Sequence, residues 1–144
     1  MSIVMSEQER QDFLAGVHVG IVSISEQGRG PVTVPVWYDY EPGGDVWFVT
    51  PADSRKVGLL DDAARISLCA QSEELPPKYV TVEGPVTIDP ASVPEHLEPM
   101  AQRYLGAELG AAYIEGSRTD DSPDEVVVRI RPERWYSADF AKNL

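Results

Sequence analysis

The chain has 144 residues, with 12 basic against 24 acidic side chains and a net charge of −12, and its composition is 42% hydrophobic and 25% charged. Length and composition together describe one folded domain, residues 1–144, and exclude a disordered chain. The acidity excludes nucleic acid and anionic membranes as partners, since both require clustered positive charge.

The pattern Ser6-Glu7-Gln8-Glu9 is a capping box, and Phe13, Leu14 and Val17 follow at helical spacing, predicting a helix over residues 6–15. From Val17 the period becomes two: Val17, Val19 and Ile21, then Val22 and Ile24 after a slip of one, which predicts a bulged strand ending at Glu26-Gln27-Gly28-Arg29-Gly30. Next, Val32, Val34, Val36, Tyr38 and Tyr40 alternate with Thr33, Pro35, Trp37 and Asp39. After Glu41-Pro42-Gly43-Gly44 comes Val46-Trp47-Phe48-Val49-Thr50, so residues 31–50 read as a β-hairpin. Pro35 has no amide to give a ladder, which places it at an edge or bulge.

Pro51-Ala52-Asp53-Ser54 breaks the strand and offers an N-cap for a short helix from Arg55 to Leu60, packed through Val57, Leu59 and Leu60. Ile66, Leu68 and Ala70 mark a fourth strand, and Tyr79 to Ile88 a long fifth with a kink at Gly84-Pro85. Residues 92–115 carry Val93, Leu97, Met100, Tyr104 and Leu105 at helical steps, and Pro99, Gly106 and Gly110 divide them into two short helices. Residues 116–124 are polar and expected to be mobile. Val126, Val128 and Ile130 form a last strand ending before Pro132, with Trp135, Tyr136 and Phe140 in a short tail. Six mainly antiparallel strands with short helices predict a small barrel of the α+β class.

Arg55-Lys56 is the adjacent basic pair of the chain, placed where a strand end opens a helix. A helix terminus with Thr50 and Ser54 hydroxyls and two cations suits a phosphate. Equally, Arg55 and Lys56 balance Asp53, Asp61 and Asp62 on a solvated helix. The rings of Trp37, Tyr38, Tyr40, Trp47, Phe48 and Tyr79 either wall a pocket for a flat ligand or fill the core and an interface. Trp37 opposes the Val/Tyr face and so points away from the core. Cys69, the single cysteine, forms no intrachain disulfide and reads as an inert buried thiol. His18 and His96 are paired with no carboxylate in sequence, no metal set is present, and Glu83 reads as a partly buried acid bridged to an arginine. No apolar run approaches the ~18 residues of a membrane span and the N-terminus lacks a signal peptide's pattern, so the expected location is cytoplasmic.

The order of these features resembles the pyridoxamine 5′-phosphate oxidase-like split β-barrel superfamily over roughly residues 6–90. The likeness is carried by Val34-Pro35-Val36-Trp37-Tyr38, Phe48-Val49-Thr50, Ser54-Arg55-Lys56, Ala64-Arg65-Ile66-Ser67-Leu68 and Tyr79-Val80-Thr81-Val82-Glu83-Gly84. The resemblance implies a six-stranded antiparallel split β-barrel, homodimeric, with cofactor sites at the subunit interface. It implies phosphate anchoring by Thr50, Ser54, Arg55 and Lys56, a ring system lined by Pro35, Val36 and Trp37, and Tyr79 on the adjacent strand. The superfamily's vitamin-processing oxidases carry an Arg-Leu-His-type signature near the C-terminus. Here that region reads Val128-Arg129-Ile130-Arg131-Pro132-Glu133-Arg134-Trp135, without a histidine, so pyridoxamine phosphate is not the expected substrate.

The sequence is more similar to short flavin and deazaflavin oxidoreductases that use coenzyme F-420 or FMN. The expected activity is hydride transfer between F-420 and a small conjugated substrate, with FMN as the alternative and no residue assigned as proton donor. Two other classes stay open: a non-enzymatic carrier or sensor holding FMN, heme or another ligand, and a structural dimer whose aromatic stripe is only an interface.

Overall fold

The predicted capping box forms. Ser6 Oγ accepts the Glu9 amide at 3.1 Å and Glu9 Oε1 accepts the Ser6 amide at 2.8 Å, starting α1 (Glu7–Ala15), which buries Leu14. The computed structural model describes residues 2–60 and 65–144; Asp61, Asp62 and Ala64, which entered the sequence reading, lie outside the described residues. The strands that follow are β1 (Val19–Ile24), β2 (Val32–Trp37), β3 (Asp39–Tyr40) and β4 (Val46–Pro51). After α2 (Arg55–Leu60) come β5 (Arg65–Ser72) and the long β6 (Lys78–Pro90). A π-helical turn, Val93–Leu97, leads into α3 (Glu98–Leu105) and α4 (Ala107–Ser117). The chain ends with β7 (Glu125–Ile130), β8 (Arg134–Asp139) and a 3₁₀ turn. Among the described residues no helix is long and apolar enough to cross a membrane.

The strands form one antiparallel sheet in the order β2-β1-β5-β6-β7-β4-β3, with β8 also on β6. The expected mainly-β class with short helices holds, but the described strands number eight, not six. One extra strand is β8, which the sequence reading left in the tail. Its register, Thr81↔Tyr136 and Val82↔Trp135, makes it a full partner of the N-terminal half of β6. The other is β3, and it corrects the predicted hairpin. Val32–Trp37 pairs with β1, and only Asp39↔Trp47 and Tyr40↔Val46 join the second arm.

β2 and β3 are the two ends of the strand order, and Tyr38 alone joins them, so the sheet must curl round on itself. Side-chain parity carries through this joint. Tyr38 and Tyr40 are buried, and Val34 and Val36 pack against the same core with Val22, Ile24, Phe48, Leu68, Val80, Val82, Val128 and Ile130. Each such fully buried aliphatic or aromatic side chain contributes on the order of 1.5–3 kcal/mol. Helix α3 satisfies the broken ladder at Tyr38: its amide donates to Tyr104 Oη at 2.9 Å, and its carbonyl accepts from Arg103 Nε at 3.0 Å.

β6 changes partner at the predicted kink. Through Glu83 it pairs with β8, and from Val86 with β7. The β7–β8 connection crosses over Gly84 so closely that a Cβ there would lie 1.6 Å from the Arg131 carbonyl oxygen. The slip predicted in β1 does not occur. Its register with β2 runs unbroken from Val19↔Trp37 to Ile24↔Val32, with Gly20, Val22 and Ile24 inward and Val19 and Ile21 exposed. The segment looked slipped because both of its faces carry apolar residues. The two predicted short helices of residues 92–115 are present, parted at Gly106 with φ +88°.

Candidate functional site

The inward residues of β4 are Val46, Phe48 and Thr50, so Val49 and Pro51 face the outside of the barrel. Over this outer surface the chain folds its own cover. Leu97, Met100 and Ala101 are buried there, and Val127 of β7, opposite Val49, is fully buried. Where the cover meets β2, the outward ring of Trp37 stacks on Tyr104 at 4.9 Å and 8°, with Tyr113 tilted against it at 5.7 Å. The reading of Trp37 as pointing away from the core holds.

Between β2, β4 and the helices lies a cleft of about 420 Å³. Its apolar part is walled by Pro35, Val36 and Trp37 on one side and by Met100, Tyr113 and Ile114 on the other. Its polar end gathers Thr50, Lys56, Ser117, Arg118 and Glu125. Pro35 is tolerated because β2 is the edge of the strand order. Thr50 is buried, and its hydroxyl lies 3.3 Å from Ser54 Oγ, a long contact that leaves bonding capacity for a ligand. Lys56 forms no ion pair among the described residues. Arg118, the C-cap of α4, reaches Glu125 at 3.4 Å and the Pro123 carbonyl at 3.5 Å. Burial pushes the Glu125 carboxyl above the ordinary range, against the pull of Arg118.

Five of the eight residues expected at the site therefore line one cleft: Pro35, Val36, Trp37, Thr50 and Lys56. Ser54 stands directly behind Thr50. Arg55 does not line it; one guanidinium nitrogen is held by both oxygens of Glu26, at 2.5 and 2.6 Å. Helix α2 has only six residues, so anion binding there depends on side chains more than on a helix dipole. Tyr79 stands elsewhere, on the outer face of the β5–β6–β8 region opposite Gln71 and Ala138.

Of the other rings, Tyr38, Tyr40 and Phe48 fill the core, and Trp47 lies under the edge of His96 at 5.7 Å. His96 Nδ1 accepts the Ser92 amide, and His18 stacks on Phe13 at 4.3 Å, so both histidines have structural partners. Glu83 is bridged to Arg65 at 2.8 Å, as read. Cys69 is only half-buried, a correction to the buried-thiol reading, because Leu68 and Ala70 take the inward positions of β5. The sequence reading missed Tyr113, Arg118 and Glu125. Tyr113 lies on a helix whose spacing looked like ordinary packing, and Arg118 sits in a polar run with no local pattern.

The family model for pyridoxamine 5′-phosphate oxidase matches residues 6–139. Among solved structures, the conserved hypothetical protein Rv2991 of Mycobacterium tuberculosis superposes with a TM-score of 0.77 at 25% identity, covering 99% of this chain and 89% of that one. A FAD-binding protein of Mesorhizobium loti gives a TM-score of 0.67 at 18% identity, covering 93% and 94%. An F-420 reductase gives 0.59 at 16% identity, covering 88% and 94%. These last two likenesses are of fold. No curated protein matches this sequence significantly.

Proposed function

This chain belongs to the pyridoxamine 5′-phosphate oxidase family, and on that premise we propose that it is an oxidoreductase whose cleft binds a flavin-type cofactor, coenzyme F-420 first and FMN as the alternative. The observation that carries the reading is the make-up of the cleft: a flat apolar wall of Pro35, Val36 and Trp37 running into a polar end with Thr50 and Lys56. A phosphate-bearing planar ring system has that same division of surface. The volume falls in the range of about 300–1,000 Å³ usual for ligand pockets. The F-420 reductase and FAD-binding proteins that share this fold support a cofactor of the flavin type.

When bound, such a cofactor supplies hydride transfer, here to a small conjugated substrate. The protein's part is to position and desolvate. Pro35 and Trp37 offer a wall that takes no hydrogen bond from a ring face. Trp37 is held by Tyr104, so it enters the site already ordered. The ammonium of Lys56, unpaired among the described residues, and the spare capacity of Thr50 serve the phosphate, and Met100, Tyr113 and Ile114 keep water from the opposite side. FMN is favoured in one respect, because the cations of the cleft, Lys56 and Arg118, sit together at one end and form no extended groove for an oligoglutamate tail.

The reading includes a homodimer. Val19, Ile21, Tyr79 and Tyr136 are exposed on the outer face of β1, β6 and β8, and one register row runs Pro35–Ile21–Cys69–Thr81–Tyr136 across five strands. That row begins at a cleft residue, so a second copy seated on it would border the cofactor. The test is equilibrium titration with F-420 and with FMN, followed by cofactor and tryptophan fluorescence. Submillimolar binding of either, lost in Lys56→Ala, upholds the reading, and binding of neither rejects it.

A further inference from the structure

Two tyrosines of the helical cover touch the ring of Trp37, and they are carried very differently. Tyr104 stacks on the indole at 4.9 Å and 8° and takes no part in the cleft lining. Tyr113 lines the cleft and leans against the same indole at 5.7 Å and 50°. One indole face is thus taken from behind, and Tyr113 stands in the place on Trp37 that the cleft would offer to a flat ring. The carrier of Tyr104 is fixed. Helix α3 buries Met100 and Ala101, and Arg103 donates to the carbonyls of Tyr38, Ala15 and Gly16 at 3.0, 3.1 and 3.0 Å.

The carrier of Tyr113 is loose. Of the 11 residues of α4 only Gly110 is buried, and it meets α3 through backbone, where a Cβ would lie 2.6 Å from Gln102 Cα. The N-cap, Gly106, has φ +88° and gives no side-chain hydrogen bond. Leu109 and Tyr113 are 60% and 49% exposed. A helix that buries no side chain has little packing to lose when it shifts.

The geometry points to Tyr113 as a gate ring: it rests on Trp37, swings aside with α4 to admit a planar ligand, and then covers that ligand's outer face. This rests on the proposed cofactor reading for the identity of the planar ligand. A slot between two aromatic rings favours a flat conjugated guest, which stacks on both, over a branched or tetrahedral one.

The test is stopped-flow association of F-420 and of FMN with wild type, Tyr113→Ala and Tyr113→Phe. Alanine is the best helix former and the replaced ring is half exposed, so the fold is kept, as circular dichroism should confirm. A gate slows entry, whereas a side chain that merely lines the cleft acts on departure. Tyr113→Ala should therefore raise the association rate constant by roughly twofold to tenfold, the worth of one aromatic pair. Dissociation should quicken as well, because the cover is lost. Tyr113→Phe keeps the ring and should associate at the wild-type rate. Unchanged or slower association in Tyr113→Ala, or association in Tyr113→Phe as fast as in Tyr113→Ala, overturns the gate.

If wild type binds neither cofactor, the cofactor reading fails, and the gate is judged without a ligand. The measurement is then acrylamide quenching of the fluorescence that Trp37→Phe removes. Stronger quenching in Tyr113→Ala than in wild type and Tyr113→Phe sustains the gate, and any other ordering overturns it.

Discussion

The two halves of the sheet treat their outer faces in opposite ways. Over β4 and β7 the chain lays its own helices, so that Val127 is fully buried and a cleft opens at the rim against β2. Over β1, β5, β6 and β8 the described residues lay no helix of comparable extent, and Val19, Ile21 and Tyr136 stand 50%, 41% and 56% exposed. One face is thus completed within the chain. The other carries exposed apolar residues, Val19, Ile21 and Tyr136 among them, which is the surface the proposed dimer would use. The cleft lies at the border of the two, and Pro35 belongs to both.

The joint between the halves is the place to break the comparison most severely. At Gly84 β6 leaves β8 for β7, and the Arg131 carbonyl occupies the space of a side chain. The obstacle is backbone, so it cannot yield by a rotamer change. Gly84→Ala is expected to lower unfolding free energy by about 3 kcal/mol or more, measured by urea denaturation, and to cost soluble yield. A loss under about 0.5 kcal/mol would mean that the crossing is slack and that the two halves are not rigidly joined.

The second prediction separates the covered half from its cover. Tyr104 Oη accepts the Tyr38 amide at 2.9 Å and donates to the His18 carbonyl at 2.6 Å, while its ring supports Trp37. Tyr104→Phe keeps the ring and orphans two backbone groups, so a loss of about 1–3 kcal/mol is expected. If the stack orders Trp37 for a ligand, cofactor affinity should fall little in Tyr104→Phe and much more in Tyr104→Ala. Equal losses in the two variants would assign Tyr104 to holding the chain break alone.

That chain break also shows what a sequence can and cannot display. Alternation from Val32 to Tyr40 correctly sorted inward from outward residues, because parity survives the joint at Tyr38. It could not show that the strand changes neighbours there, since the signal for the change is the phenol of Tyr104, sixty-six residues away. The cleft was legible where strand parity governs it, at Pro35, Val36, Trp37 and Thr50. It was illegible where helices approach from a distance, at Met100, Tyr113 and Arg118. The apparent slip at Ile21-Val22 was a true signal read for the wrong cause. Both faces of the strand carry apolar residues, and the barrel side is the one this chain fills. The strand β8 escaped notice for a similar reason, since Trp135 packs against the core while Tyr136 stands exposed beside it.

The bare half yields the prediction with the smallest effect on the fold itself. Ile21 is the second residue of the register row from Pro35 to Tyr136, 41% exposed and outside the barrel core. A lysine there adds a charge to a surface that water already reaches in a single chain, so Ile21→Lys should change the stability of the isolated chain by about 0.5 kcal/mol or less. In a dimer the same charge would be buried among apolar groups without a partner, at several kcal/mol. Light scattering should therefore report two chains for wild type and one for Ile21→Lys, with the circular dichroism spectrum unchanged. Cofactor titration then sharpens the comparison. If the cleft is completed by the partner, affinity falls with the dimer even though Ile21 lies outside the cleft lining, paired with Pro35 in register. If affinity is unchanged in the monomer, the covered half makes the site alone, and the bare face serves association only.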